Sequence, residues 1–369
     1  MTTKIRVGIL FGGKSAEHEV SLQSAKNIVD AIDKEKYEVV LIGIDKQGRW
    51  YLNEASSFIL HADNPKLIKL SKANEDVALI PGRYGEQQLV SLSDNRSLGP
   101  VDVVFPALHG PLGEDGTVQG LLKLADVPFV GASVLGSAVG MDKDVMKRLL
   151  RDARIPIAKV LVFHRSSLGE IDFDEVENHL GLPLFIKPAN LGSSVGIHKV
   201  QNRKQFEQAV HDSFQYDTKI LAEEAVTGRE IECSVLGNEN PVASVPGEVK
   251  PQHEFYSYEA KYIDEQGAIL EIPANLPVEI VKKVQELAVK TFKVLCCEGM
   301  ARVDFFLRNE QEVLVNELNS IPGFTRISMY PKLWEVSGIS YTELIDKLIQ
   351  LALERFEKEK KLKTSVELR

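Results

Sequence analysis

Hydrophobic positions in the first third of the chain switch between two periods. IRVGILFGG (5–13) is an apolar run closed by paired glycines and predicts a buried strand. SAEHEVSLQSAKNIVDAI (15–32) gathers its apolar residues on one helix face, and YEVVLIGID (37–45) returns to a strand pattern. VDVVFPALHG (101–110), VQGLLKLA (118–125) and VPFVGA (127–132) repeat the order of strand, helix and short strand. Such alternation predicts a parallel sheet with helices on both faces. Residues 45–100 are polar and irregular by comparison, and are expected to leave that sheet as a long excursion.

After Met141 the pattern changes. MDKDVMKRLLRDARI (141–155) predicts a helix that runs by way of Pro156 into a second unit, where LPLFIKPANLGSSVGIHKV (182–200) reads as two strands around a Gly/Ser turn. A third unit carries strands at REIECSVLG (229–237), ARVDFFL (301–307) and EVLVNEL (312–318), with helices at 277–295 and 341–356. The expected domains are 1–140, 141–227 and 228–369, and the expected class is α/β followed by α+β.

In the last strand pair, Glu317 and Asn319 are two apart and so share a face. A four-residue loop at 309–312 would set Asp304 opposite Glu317 and Arg302 opposite Asn319. Three oxygen ligands and one guanidinium then lie on one face. The neighbours Val303, Phe305, Val313, Val315 and Leu318 are apolar, so the ribbon is not wholly solvated. Carboxylates in such a setting need a partner or a metal. Carboxylates plus an amide, without His or Cys, suit Mg²⁺ better than Zn²⁺.

Composition narrows the field. The chain has 369 residues, 44% hydrophobic and 26% charged, which is ordinary for a globular protein of two or three domains. A net charge of −9 argues against nucleic acid or an acidic membrane surface as partner. Cys233, Cys296 and Cys297 have no metal or redox spacing and read as buried small residues in a reducing compartment. With no signal-peptide layout and no apolar run of spanning length, the expected location is cytoplasmic.

Two segments resemble phosphate sites, and one is a decoy. Gly8–Ser15 (GILFGGKS) satisfies G-x-x-x-x-G-K-[ST], yet Ile9, Leu10 and Phe11 belong to a buried strand rather than a phosphate loop. It also lacks the dinucleotide fingerprint G-x-G-x-x-G, which tells against a nicotinamide-dependent reductase. Glu17 or Glu19, at the following helix start, are candidates to meet a substrate ammonium. In FIKPANLGSSVG (185–196), by contrast, Lys187 precedes a turn rich in backbone N–H groups and hydroxyls that can fold over phosphate, and Lys143 offers a second cation. HGPLGEDGT (109–117) places His109 at a strand end, where open α/β sheets put ligand groups, with Glu114 and Asp115 between glycines.

HGPLGEDGTVQG, KPANLGSSVG and RVDFFL…NELNSIPGFT together resemble the D-alanine–D-alanine ligase family of the ATP-grasp superfamily, over residues 4–355. The resemblance implies an N-terminal substrate domain and two ATP-grasp subdomains that close on ATP. It implies Lys143, Lys187 and Lys261 at the phosphates, the Ser193–Gly196 loop with Ser194 above them, Glu223, Glu224 and Val226 around adenine, and Glu230 at the ribose. Asp304, Glu317 and Asn319 would hold two Mg²⁺, with Mn²⁺ as a substitute. Glu17 would receive the first D-alanine's ammonium, with His109 near its carboxylate. Arg302 and the N–H of Gly323 would stabilise oxyanion charge, and Ser328 with the backbone of Met329 would bind the second substrate. Tyr262 would close the site by bonding Ser193 and Glu230. It also favours an amine acceptor over the hydroxyl used by D-lactate ligases, while Arg326 is expected to point outward. A homodimer is the implied assembly. A nucleotide-binding relative without catalysis would have lost a metal ligand, a clamp lysine or Arg302, and all are present.

Overall fold

The first strand, Ile5–Gly12, is the parallel heart of a six-stranded sheet, flanked by Tyr37–Ile44 on one side and Val103–Ala107 on the other. In the computed structural model, which describes residues 4–364 apart from 55–57, 62–67, 72–74, 83–87, 194 and 252–267, this sheet does not stop there. Trp50–Asn53, Glu75–Leu79 and Leu89–Ser91 add to it antiparallel beyond Tyr37–Ile44. The expected excursion is therefore part of a mixed sheet. All three strands are short and the first two are partly exposed, so they carry too few alternating apolar residues to stand out in the sequence. VPFVGA forms only a bridge, between Val104 and Phe129, instead of the expected strand.

Ile9, Leu10 and Phe11 are fully buried within the first strand, which excludes a phosphate loop at Gly8–Ser15. The strand ends where Gly12 takes φ +88°, and a Cβ there would run into the carbonyl of Ile44. Only glycine fits so close a backbone approach with that dihedral.

A four-stranded antiparallel sheet follows, in the order His198–Val200, Leu184–Pro188, Lys219–Glu224, Val160–His164. The third sheet has Arg229–Gly237 next to Gly299–Arg308, with Glu312–Asn319 on the far edge and Gly247–Pro251 and Ala268–Glu271 on the other side. Helix Val278–Val294 covers its apolar face through Val284, Ala288 and Phe292, which meet Val303, Phe305, Val313 and Val315. Met146 and Leu150 of helix Lys143–Asp152 join the same core.

The C-terminal helix, Tyr341–Glu359, fastens the first sheet to the third. Leu344, Ile345, Leu348 and Ile349 share one core with Val7, Ile9, Phe105, Phe324 and Trp334. Its Arg355 donates to the carbonyls of Gly131 (2.6 Å) and Phe129 (2.7 Å) and stacks on the Phe129 ring. Cys233 and Cys297 are buried as expected, whereas Cys296 is exposed.

Gly12→Ala is expected to destabilise the chain by more than the roughly 1–3 kcal/mol of a strained backbone position alone, because it adds a clash. Gly48→Ala, with φ +87° but nothing within 4 Å, is expected to cost only the backbone share. Urea unfolding midpoints of the two variants check the difference.

Candidate active site

The hairpin that joins Gly299–Arg308 to Glu312–Asn319 turns on three residues, 309–311, with Asn309 and Glu310 at φ +50° and +57°. Arg308 thus pairs with Glu312 and Phe305 with Val315, one residue out of the expected register. Continued, that register would set Glu317 opposite Val303, in the core. A β-bulge at Asn316 takes up the extra residue, and the ladder resumes with Asp304 opposite Glu317 and Arg302 opposite Asn319. The expected partners are therefore right and the expected four-residue loop is not: a shorter turn and a bulge cancel. Lys147, buried on helix Lys143–Asp152, donates to the carbonyl of Asn316 (3.2 Å) and so ties down the bulge.

Much of the charge on this face is paired within the protein. Arg302 donates from Nε to Asp304 Oδ1 and from Nη2 to Oδ2, both at 2.7 Å, and Asn319 Nδ2 donates to the same Oδ2 at 3.0 Å. Glu232, across from Asp304 on strand Arg229–Gly237, has Oε2 2.8 Å from Arg302 Nε. Lys143 Nζ is 3.9 Å from Glu317 Oε2 and donates to the carbonyl of Leu191. Among the described residues no three His, Cys, Asp or Glu side chains cluster closely enough to hold a metal by themselves. Two facing carboxylates and an amide oxygen do match the few hard protein ligands of Mg²⁺, which takes its other ligands from water and substrate phosphate.

A cavity opens beside this face, lined by Glu17, His109, Glu114, Lys143, Ser193, Glu232, Arg302, Glu317, Asn319, Gly323, Ser328 and Met329. Of the two acids at the first helix start, Glu17 faces it and accepts from Ser193 Oγ, while Glu19 pairs with Lys46. Glu114 accepts from the N–H groups of Gly110 (2.7 Å) and Ile321 (3.3 Å). Burial, reinforced by the charge of Glu17, pushes its carboxyl up to about 8. His109 is buried with both ring nitrogens engaged. The carbonyl of Ile321 can only accept, so Nδ1 carries the hydrogen (3.2 Å) and Nε2 accepts from Ser24 Oγ (3.0 Å), which itself accepts from Phe324 N–H. His109 is thus a bonded structural tie that also lines the cavity. Ser328 Oγ accepts from Thr325 N–H at 2.9 Å, and a Cβ on Gly323 would lie 2.7 Å from that oxygen. Arg326 is exposed, as expected.

The remaining candidates lie elsewhere. Lys187 Nζ is 2.8 Å from Glu223 Oε1 and Lys147 Nζ 2.7 Å from Oε2. Burial alone would raise the Glu223 carboxyl, but the two ammonium groups outweigh it and hold it down to about 2. Glu224 accepts from Lys159 N–H and pairs with Arg308. Glu230 is two residues from Glu232 on the same strand face, opposite Phe306, and Val226 lies in the irregular connection after Lys219–Glu224. Lys187, Glu223, Glu224, Val226, Glu230 and Asp304 do not line the cavity. Ser194, Lys261 and Tyr262 lie outside the described residues. Sequence reading gave no role to Glu232 or Lys147, and marked Glu114 only as part of the HGPLGEDGT loop. Two signals were available: Glu232 alternates with Glu230, and Lys147 follows Lys143 by one helical turn.

Two family models match, one described as D-ala D-ala ligase N-terminus over residues 6–132 and one as D-ala D-ala ligase C-terminus over residues 149–350. The D-alanine–D-alanine ligase of Oceanobacillus iheyensis is 59% identical over 362 residues, covering 98% of this chain and 99% of its own. The D-alanine–D-alanine ligase structure from Coxiella burnetii superposes with a TM-score of 0.84 at 39% identity, covering 97% of this chain and 96% of that one. The VanG D-Ala:D-Ser ligase structure from Enterococcus faecalis gives 0.83 at 36%, covering 95% of this chain and 100% of that one.

Burial holds the His109 imidazole down to about 4, against the pull of the Ile321 carbonyl. In the unfolded chain the ring takes up its proton near pH 6.5. Its contribution to stability is thus whole above about pH 6.5 and is lost as the pH falls towards 4. Between pH 7.5 and 5 the wild-type chain is expected to lose up to about 2 kcal/mol more stability than His109→Gln, read from urea midpoints. Equal losses would show that the ring is not held neutral.

Proposed function

This chain belongs to the D-alanine–D-alanine ligase family, with the ATP-grasp fold, and we propose that the cavity bounded by Glu17, Arg302 and Ser328 is where it joins two D-alanines at the expense of ATP. The observation that carries this reading is the meeting of Glu17, Arg302, Gly323 and Ser328, from three distant segments, around one cavity beside the acidic face.

In this reading Glu17, with Glu114 beside it, receives the ammonium of the first D-alanine. The carboxylate of that substrate attacks the γ-phosphate of ATP, giving an acyl phosphate and ADP. A carboxylate is a poor acyl donor until it is phosphorylated, and the transfer needs mainly positioning and charge neutralisation. Two Mg²⁺ ions, or Mn²⁺ in their place, would neutralise the polyphosphate when held by Asp304, Glu317 and Asn319. Lys143 and Lys187 take the phosphates under the Ser193–Gly196 loop with Ser194. Glu223, Glu224 and Val226 meet adenine and Glu230 the ribose. Ser328 and the Met329 backbone orient the second D-alanine, whose amine attacks the acyl carbonyl. Arg302 and Gly323 N–H stabilise the oxyanion of the tetrahedral intermediate, which collapses with loss of phosphate. Lys261 and Tyr262 close the site against water, which would otherwise hydrolyse the acyl phosphate.

The product serves peptidoglycan precursor synthesis in the cytoplasm, and a homodimer is the proposed assembly. No helix among the described residues is long and apolar enough to cross a membrane. The VanG neighbour joins D-Ala to D-Ser on a backbone of the same shape, so a second reading with another acceptor merits a direct test.

Phosphate release from Mg²⁺–ATP is expected with D-alanine alone and not with L-alanine, with D-alanyl-D-alanine as the product by mass. Release that requires D-serine or D-lactate beside D-alanine would move the reading to that acceptor. Arg302→Ala is expected to lower kcat by about 10²–10³-fold with little change in the KM for ATP. An effect confined to that KM would remove Arg302 from the oxyanion role.

A further inference from the structure

We propose that Glu232 is a positioning residue that holds the Arg302 guanidinium when a divalent cation takes Asp304, so that arginine and cation do not compete for one carboxylate. This deepens the metal reading above and rests on it.

The order of strands carries the argument. Gly299–Arg308 lies between Arg229–Gly237 and Glu312–Asn319. Asp304 therefore has Glu232 directly across on one side and Glu317 directly across on the other. Arg302 stands two residues along on the same face, within 2.7 Å of Asp304 and 2.8 Å of Glu232. All three side chains are largely buried, at 18% exposure for Arg302, 14% for Asp304 and 13% for Glu232.

Arg302 Nε carries one hydrogen, and it is aligned on Asp304 Oδ1. A cation held by Asp304, Glu317 and Asn319 would draw on the same carboxylate and repel the guanidinium. A buried guanidinium cannot be left without an anion. Glu232 supplies that anion on the side of Asp304 away from Glu317, already in contact with the same nitrogen. A small rotation of the guanidinium exchanges one carboxylate for the other. The cation and Arg302 then part to opposite sides of Asp304, each with its own counter-charge.

Glu232 is placed against being a ligand itself. Two strand spacings, about 10 Å, separate its backbone from that of Glu317. Among the described residues no three acidic, His or Cys side chains could share one ion.

The test is Mn²⁺ binding by the full chain, with and without ADP, followed by the fall of the free-ion electron paramagnetic resonance signal. Glu232→Ala is expected to weaken binding about tenfold or more, in the range seen when a group that orients a metal ligand is lost. Adding Arg302→Met to Glu232→Ala is expected to restore binding, since no guanidinium then occupies Asp304. Unchanged binding in Glu232→Ala, or a double variant as weak as the single one, would overturn the proposal, the latter by making Glu232 a ligand. Glu232→Gln keeps the size and an acceptor. Should Glu232→Ala fail to fold, it takes its place, with a smaller weakening and the same rescue by Arg302→Met. Asp304→Ala separates the two levels: normal Mn²⁺ affinity in that variant would sink the metal reading itself, whatever Glu232 does.

Discussion

Two parallel hydrogen bonds from Arg302 to Asp304 set the terms for the rest of the site. They sit on a strand with a neighbour on each side, over a core of Val303, Phe305 and Val315, where carboxylates without counter-charge would oppose folding. Asp304 is matched by Arg302 and Asn319, Glu317 stands near Lys143, and Glu223 is held between Lys147 and Lys187. Pairs of this kind contribute little net stability, since each replaces water that the charges give up. On the proposed reading they hold the groups assigned to phosphate and cation in one arrangement before any ligand arrives, and binding would proceed by exchanging partners, not by bringing in bare charge.

The second constraint is the loop that follows the ribbon, whose residues 320–323 and 327–329 line the cavity. It is held by residues around the first sheet. His109 bonds the carbonyl of Ile321, Glu114 accepts the N–H of the same residue, and Ser24 accepts that of Phe324. Phe324 in turn packs on Phe105, Tyr330 and Tyr341. The site is thus made by apposition of the first and third sheets, and helix Tyr341–Glu359 maintains that apposition through their shared core.

Strands buried on both faces were legible in the sequence because continuous apolar runs have few other uses. Trp50–Asn53, Glu75–Leu79 and Leu89–Ser91 were not, since each is only three to five residues long and buries no more than three side chains. The facing of Asp304 and Glu317 was legible only because two errors cancelled: alternation fixes which residues share a face, but nothing in NEQE or VNEL announces a tight turn and a compensating bulge. Glu232, Glu114 and Lys147 each have a partner 70 or more residues away in the chain, which no local pattern carries. His109 stood out by its motif, yet the bonds to Ser24 and Ile321 that define its state are tertiary.

The most direct measurement is a crystal structure of the chain with Mg²⁺ and a non-hydrolysable ATP analogue. The account predicts Asp304, Glu317 and Asn319 on the metal side of the ribbon, Arg302 turned on to Glu232, and the analogue's terminal phosphate facing Glu17 and Gly323. Arg302 still clasping Asp304 with both nitrogens, and Mg²⁺ bound away from the ribbon, would contradict it.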